Sequence, residues 1–178
     1  INEKFLIELI SIDDCSSDST NQIISQFDVI KLNTPKNSGG PNAGRNIGLK
    51  KATGDYICIA DQDDIWEKNK IIKLLPHLQN TTIVSSGYKL FDTSQNKEFI
   101  RGNKSESGFI LFPENETFLK RLTKSSSGQS TYLGSLIFKQ SLKKILFEEK
   151  YGMVDFDWMV QLFHNQKYGI GVSRNHHH

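Results

Sequence analysis

The chain has 178 residues, 37% of them hydrophobic and 24% charged, and a net charge of +2. That length supports one domain with a proper core and is short for two, and the composition is that of a globular protein rather than a disordered or membrane-embedded one. So small a net charge gives no reason to expect a nucleic-acid partner, no segment is long and apolar enough to span a bilayer, and the opening residues do not read as a signal peptide. Cys15 and Cys58 show no metal or redox spacing and are expected to be reduced thiols of a cytoplasmic protein. His176, His177 and His178 read as the start of a purification tag, with a native histidine run as the alternative.

The β-rich run "FLIELISI" (residues 5–12) predicts a strand that ends in Asp13 and Asp14. A parallel sheet buries both faces of its strands and its first strand is seldom preceded by nothing, so the chain is expected to be a fragment or a trimmed piece. "SSDSTNQIISQF" (16–27) carries Ile23, Ile24 and Phe27 at helical spacing, with Ser16 or Ser17 as N-cap. "VIKLN" (29–33) is a short strand. "GGPNAGRNIGLKKATG" (39–54) opens with Gly-Gly-Pro, runs helically through Ile47 and stops at Gly54. "DYICIA" (55–60) is the next strand. Strand–helix–strand–helix–strand predicts an α/β fold of mainly parallel strands flanked by helices.

The second half is less regular. "NKIIKLLPHL" (69–78) predicts a helix bent or ended by Pro76, "TTIVSSGYKLF" (81–91) a strand, and residues 92–107 a loop or hairpin. "ETFLKRLTK" (116–124) predicts a short helix, and residues 124–130 a flexible connection. "YLGSLIFKQSLKKIL" (132–146) reads as strand then helix, and "DFDWMVQLFHNQ" (155–166) as an amphipathic helix with Trp158, Met159, Leu162 and Phe163 near one face. The chain is expected to form one domain over residues 1–173, with a ligand-binding half at 1–91 and a more variable half at 92–173.

Ligands of open α/β sheets bind beyond the carboxyl ends of the strands, where this sequence puts Asp13-Asp14, Asp61-Asp63-Asp64 and the Gly-rich turn before Arg45. Along extended chain Asp61 and Asp63 would share a face, and two hard oxygens suit Mg²⁺ or Mn²⁺ that takes its other ligands from water and phosphate. The plainer alternative is a solvated loop, with Asp64 capping the next helix. An EF-hand is excluded, because its glycine and glutamate positions hold Trp66 and Ile72. "NSGGPNAGRNIG" matches neither the dinucleotide nor the P-loop pattern. Arg45 offers a guanidinium fork to a phosphate or a plane to a base, or is simply a surface arginine. Asp155 and Asp157 open a helix, where acids suit the dipole, and one of them could serve as a general base.

In order, "IDDCSSDST", "NSGGPNAGRNIG", "GDYICIADQDD" and "VDFDWMVQL" resemble the GT-A glycosyltransferases of family 2. The resemblance covers roughly residues 5–165. It implies an inverting enzyme that moves a sugar from a nucleotide-diphosphate sugar, most commonly linked to UDP, to an acceptor hydroxyl. It further implies Asp13 and Asp14 near the base and ribose, Arg45 holding the nucleotide, and Asp61 and Asp63 binding ribose and a divalent cation, Mn²⁺ or Mg²⁺. Asp155 is then the catalytic base. The implied acceptor is a saccharide or lipid-linked saccharide in cell-surface polysaccharide synthesis. The implied place is the cytoplasm at the inner face of the plasma membrane, with "KQSLKK" (139–144) as a peripheral lipid contact or a solvated face. Two departures stand out: Val154 replaces the usual glutamate before the base, and the family's first strand is missing. They favour a second reading, a degenerate or truncated domain that binds nucleotide sugar without turnover. A third, nucleotidyl transfer, would bring a Gly-rich, Lys/Arg-bearing loop near the N-terminus that this chain lacks.

Overall fold

The computed structural model describes residues 5–101, 109–112, 132–150, 155–164 and 166–171. The chain groups into two compact units, residues 1–57 with 140–158, and residues 58–139 with 159–178. The sequence suggests a single domain divided at residue 91; the compact units divide elsewhere. The expected helix at 116–124, the connection at 124–130 and Val154 lie outside the described residues.

In the first unit, strand β1 (Ile10–Asp13) pairs in parallel with β2 (Ile30–Asn33), in the register Ile10 to Ile30 through Asp13 to Asn33. The predicted strand began at Phe5, but β2 is only four residues long and offers no further partner. Leu6 is accordingly fully exposed. Helix α1 is also shorter than predicted, spanning Thr20–Ile24, with no buried residue and no side-chain cap at Ser19. Neither Ser16 nor Ser17 caps it. Asp13 takes the Ser16 amide instead, at 3.1 Å, and so holds the following residues in a turn. A helix of five residues that buries no side chain completely gains little from being extended.

Helix α2 (Pro41–Lys51) matches its prediction more closely. Gly39 has φ +74°, a conformation that favours glycine, and Pro41 starts the helix where a missing N–H does no harm. Gly44 and Gly48 lie four residues apart against β1. A Cβ at Gly48 would sit 3.1 Å from Ile12 Cδ1, so small residues here set how closely the helix lies on the strand. The helix ends at Ala52 in extended conformation (φ −55°, ψ 132°) rather than at Gly54. Glu8 then holds Thr53 through its amide and hydroxyl, both at 2.8 Å. Strand β3 is only Tyr56–Ile57.

Residues 140–150 return to this unit as a strap. The predicted helix there shrinks to one 3-10 turn, Gln140–Leu142, because the chain is committed elsewhere. The Gln140 amide donates to Asp55 O, its side chain to Thr53 O, and Lys143 Nζ to Ala52 O.

In the second unit, helix α3 (Lys70–Leu74) passes into a 3-10 turn, Leu75–Gln79, at Pro76, which lacks the amide an α-helix needs. The predicted strand 81–91 is two strands, β4 (Ile83–Ser85) and β5 (Tyr88–Asp92), belonging to different sheets. β5 forms a hairpin with β6 (Lys97–Arg101); its turn is tied by Asp92 Oδ1, which accepts from the Ser94 amide and hydroxyl. β4 lies between β8 (Leu136–Lys139), antiparallel, and β9 (Tyr168–Gly171), parallel, and β9 pairs antiparallel with β7 (Phe109–Phe112). The class is α/β as expected, with antiparallel pairs in this unit. Its core gathers Leu74, Leu78, Val84 and Ile137.

Helix α4 spans Asp155–Phe163 with both acids in its first turn, as the sequence predicts. Trp158, Met159, Leu162 and Phe163 are buried. Among the described residues, no helix is long and apolar enough to cross a membrane.

Candidate functional site

The carboxylates at the end of β1 are occupied by neighbouring chain, Asp13 by its own loop and α1, Asp14 by the loop after β2. Asp13 Oδ2 accepts from the Ser16 amide and from Asn21 Nδ2 at 3.2 Å. Asp14 accepts from Thr34 Oγ1 at 2.5 Å and from the Ser38 amide and hydroxyl at 2.9–3.1 Å. Both groups lie below the ordinary carboxylate range: the Ser16 hydrogen bond is the main cause for Asp13 and the Thr34 hydroxyl for Asp14. Asp14 thus fixes the 34–40 turn. Beside that turn lies a recess of about 390 Å³, lined by Thr34, Pro35, Lys36, Ser38, Gly40, Asn42, Ala43 and Glu149.

Arg45 and Asp155, far apart in sequence, meet in the same unit as an ion pair between Arg45 Nη1 and Asp155 Oδ1. The Arg45 side chain is 9% exposed and that of Asp155 27%. The guanidinium also donates to Asn42 Oδ1 at 3.3 Å and lies over the Phe147 ring, 5.3 Å from its centre. Phe147 stacks on Trp158 with ring centres 4.3 Å apart, and the Trp158 indole donates to Ile145 O at 2.8 Å.

Two residues that the sequence reading missed build this arrangement. Asn42 and Asn46 are each only 2% exposed. Asn42 Nδ2 donates to Glu148 O at 2.8 Å. Asn46 pairs both ways with the Phe147 backbone, at 2.9 and 2.8 Å, and donates to Glu149 Oε1 at 2.7 Å. Positions 42, 45, 46 and 49 form one helical face. Their spacing, ending in buried Leu49, was the available signal.

In the second unit, residues 61–64 form a turn, with the Asp64 amide donating to Asp61 O at 3.1 Å. The extended geometry expected for Asp61 and Asp63 is absent, because this hydrogen bond closes the chain on itself. Asp64 Oδ1 accepts from Tyr132 Oη at 3.1 Å, while its Oδ2 is buried with no hydrogen-bond partner among the described residues. Burial pushes the Asp64 carboxyl up, and the charges of Asp61 and Asp63 push it further. A Cβ at Gly134 would run into Asp64 Oδ2, so only glycine leaves room for this carboxylate. Lys70 donates to Gly134 O and places its ammonium 3.4 Å from the centre of the Trp66 ring; burial lowers its pKa to about 8. Cys58, a free thiol, is pushed up to about 11 by burial.

Among the described residues, no three His, Cys, Asp or Glu side chains form a group able to hold a metal ion by themselves. The donors at 61–64 are all hard oxygens, and one buried carboxylate oxygen lacks a donor. That chemistry fits Mg²⁺ or Mn²⁺ held by one or two carboxylates with substrate phosphate supplying the rest.

The family model "Glycosyl transferase family 2" matches residues 2–146. An uncharacterized glycosyltransferase of Haemophilus influenzae is 43% identical over 90 residues, which is 48% of this chain and 36% of that protein. A putative teichuronic acid biosynthesis glycosyltransferase of Bacillus subtilis, TuaG, is 37% identical over 90 residues, 47% of this chain and 35% of that protein. The crystal structure of S. aureus TarS 1-349 in complex with UDP superposes with a TM-score of 0.69 at 20% identity, covering 92% of this chain and 48% of that one. The chain therefore spans about a third of these curated relatives and about half of that solved structure, with which it shares the GT-A fold. With most of its length matched by the family model, this chain belongs to glycosyl transferase family 2.

Proposed function

We propose that the chain carries the donor-binding and base-bearing part of an inverting glycosyltransferase that uses a UDP-linked sugar. The observation that carries this reading is the meeting of Asp155 with Arg45 on the helix that follows the Asp14-fixed turn. The turn and its recess take the base and ribose end of the nucleotide, with Asp13 and Asp14 holding the loops in shape. Asp61 and Asp63 hold a divalent cation, Mg²⁺ or Mn²⁺, which when bound offsets the charge of the diphosphate. Asp155 accepts the proton of an acceptor hydroxyl. The oxygen attacks the anomeric carbon opposite the diphosphate, the bond to the leaving oxygen breaks, and the configuration inverts. The TarS complex with UDP favours a UDP-sugar donor, and TuaG, named a putative teichuronic acid biosynthesis glycosyltransferase, favours a cell-surface saccharide or lipid-linked saccharide acceptor. Such an acceptor places the work on the cytoplasmic side of the plasma membrane.

The test is UDP release from UDP-glucose and UDP-N-acetylglucosamine, with and without a cell-wall saccharide fraction, in Mn²⁺ or chelator. Asp155→Asn should slow transfer about 10²- to 10⁴-fold while UDP still binds. Asp63→Ala should abolish the Mn²⁺ dependence of UDP binding. A parental rate in the first variant, or unchanged Mn²⁺ dependence in the second, refutes the corresponding role.

A further inference from the structure

Arg45 lies on α2, and its guanidinium is almost fully buried, so the ion pair with Asp155 is shielded from water far more than a surface pair. Among the described residues, two other groups touch that guanidinium and two more hold one of them in place. Asn42, one turn earlier, accepts from Nη1; the Phe147 face lies beneath it; and Phe147 is itself fixed by Asn46 and by Trp158. A planar fork held on an aromatic face cannot swing as a lysine ammonium could. The segment that carries Phe147 is clamped to α2 by backbone-directed bonds from Asn42 and Asn46, so the ring and the arginine move as one body.

We propose that Arg45 is a positioning residue for Asp155: by its ion pair it fixes the orientation in which the carboxylate meets the acceptor hydroxyl. The inference deepens the reading above and rests on Asp155 being the base. It assigns the arginine to the base end of the reaction, whereas the sequence resemblance assigned it to the nucleotide. Substrate specificity and donor affinity then do not pass through Arg45. Misplacing a reacting group by about 1 Å is enough to slow an enzyme on the order of 100-fold, which sets the scale of the effect.

The experiment is a double-mutant cycle in the full chain, with Arg45→Gln, Asp155→Asn and the pair, and with Arg45→Lys as the conservative variant. Turnover is read as UDP release from UDP-N-acetylglucosamine, and binding as the affinity for UDP itself. Arg45→Gln should lower kcat on the order of 100-fold with the affinity for UDP within about twofold of the parent. Arg45→Lys should recover part of the loss, and the double variant should be no slower than Asp155→Asn alone. Weaker UDP binding with kcat intact would overturn the proposal and return Arg45 to the nucleotide. Losses that multiply in the double variant would also overturn it. A parental rate for Asp155→Asn instead refutes the base, a separate outcome. The same cycle run on urea unfolding tests the pairing without turnover; a coupling energy near zero overturns it.

Discussion

Two acid clusters follow strands in this chain, and the structure treats them in opposite ways. Asp13 and Asp14 spend their oxygens on amides and hydroxyls of α1 and of the loops after β1 and β2, and their pKa values fall. Asp64 is placed beside Asp61 and Asp63 with a buried oxygen that has no donor among the described residues, and its pKa rises. The first cluster shapes backbone; the second retains an unmet demand for positive charge. Carboxylate count alone does not separate the two. The donors around each carboxylate do.

The firmest challenge to this contrast is to remove satisfaction where it is complete. Asn46→Ala strands the amide and carbonyl of Phe147 in a buried place and should lower unfolding free energy on the order of 3 kcal/mol, measured by urea titration. A loss within experimental error would mean that the first unit does not depend on its polar clamps. Gly134→Ala, which forces Asp64 to shift and crowds Tyr132 Cε1 at 2.9 Å, should cost about 1–3 kcal/mol in the same measurement. The smallest effects are the sharpest, because they differ in sign. Asp14→Asn should lower the thermal midpoint, whereas Asp64→Asn, measured without divalent cation, should raise it slightly by removing one of three neighbouring charges. Equal signs would erase the distinction between the clusters.

Acid makes the Asp14 effect visible. Its folded pKa lies below the unfolded value, so the stabilisation is present above the usual carboxylate pKa of about 4 and is lost as pH falls through the folded value. The parent should lose stability on acidification below about pH 4, and Asp14→Asn should show a flatter acid limb, read as thermal midpoint against pH.

Much of this was legible in the sequence, for physical reasons that differ by element. Gly39-Gly40-Pro41 announced α2 because backbone restrictions at glycine and proline act locally. The Trp158, Met159, Leu162 and Phe163 pattern announced α4 because its burial is regular. β1 and α1 were read too long, because propensity cannot tell that β2 has only four residues or that Ile23 and Phe27 stay exposed. The candidate residues were legible as residue types at strand and helix ends. The partner of each was not: Arg45 and Asp155 are 110 positions apart, and periodicity carries no information over that distance. Asn42 and Asn46 escaped notice because asparagine on a helix suggests solvent, although their positions lie on an inward stripe.

The chain contains two tryptophans, and one of them lies face to face with the ring that carries Arg45. Trp158 is therefore a built-in optical probe of the carboxylate end of the site. Its emission responds to displacement of the Phe147 ring, and so registers anything that draws the arginine away. In a chain where Trp66 is replaced by phenylalanine, fluorescence alone would follow the state of that carboxylate, with no label attached and no acceptor yet identified.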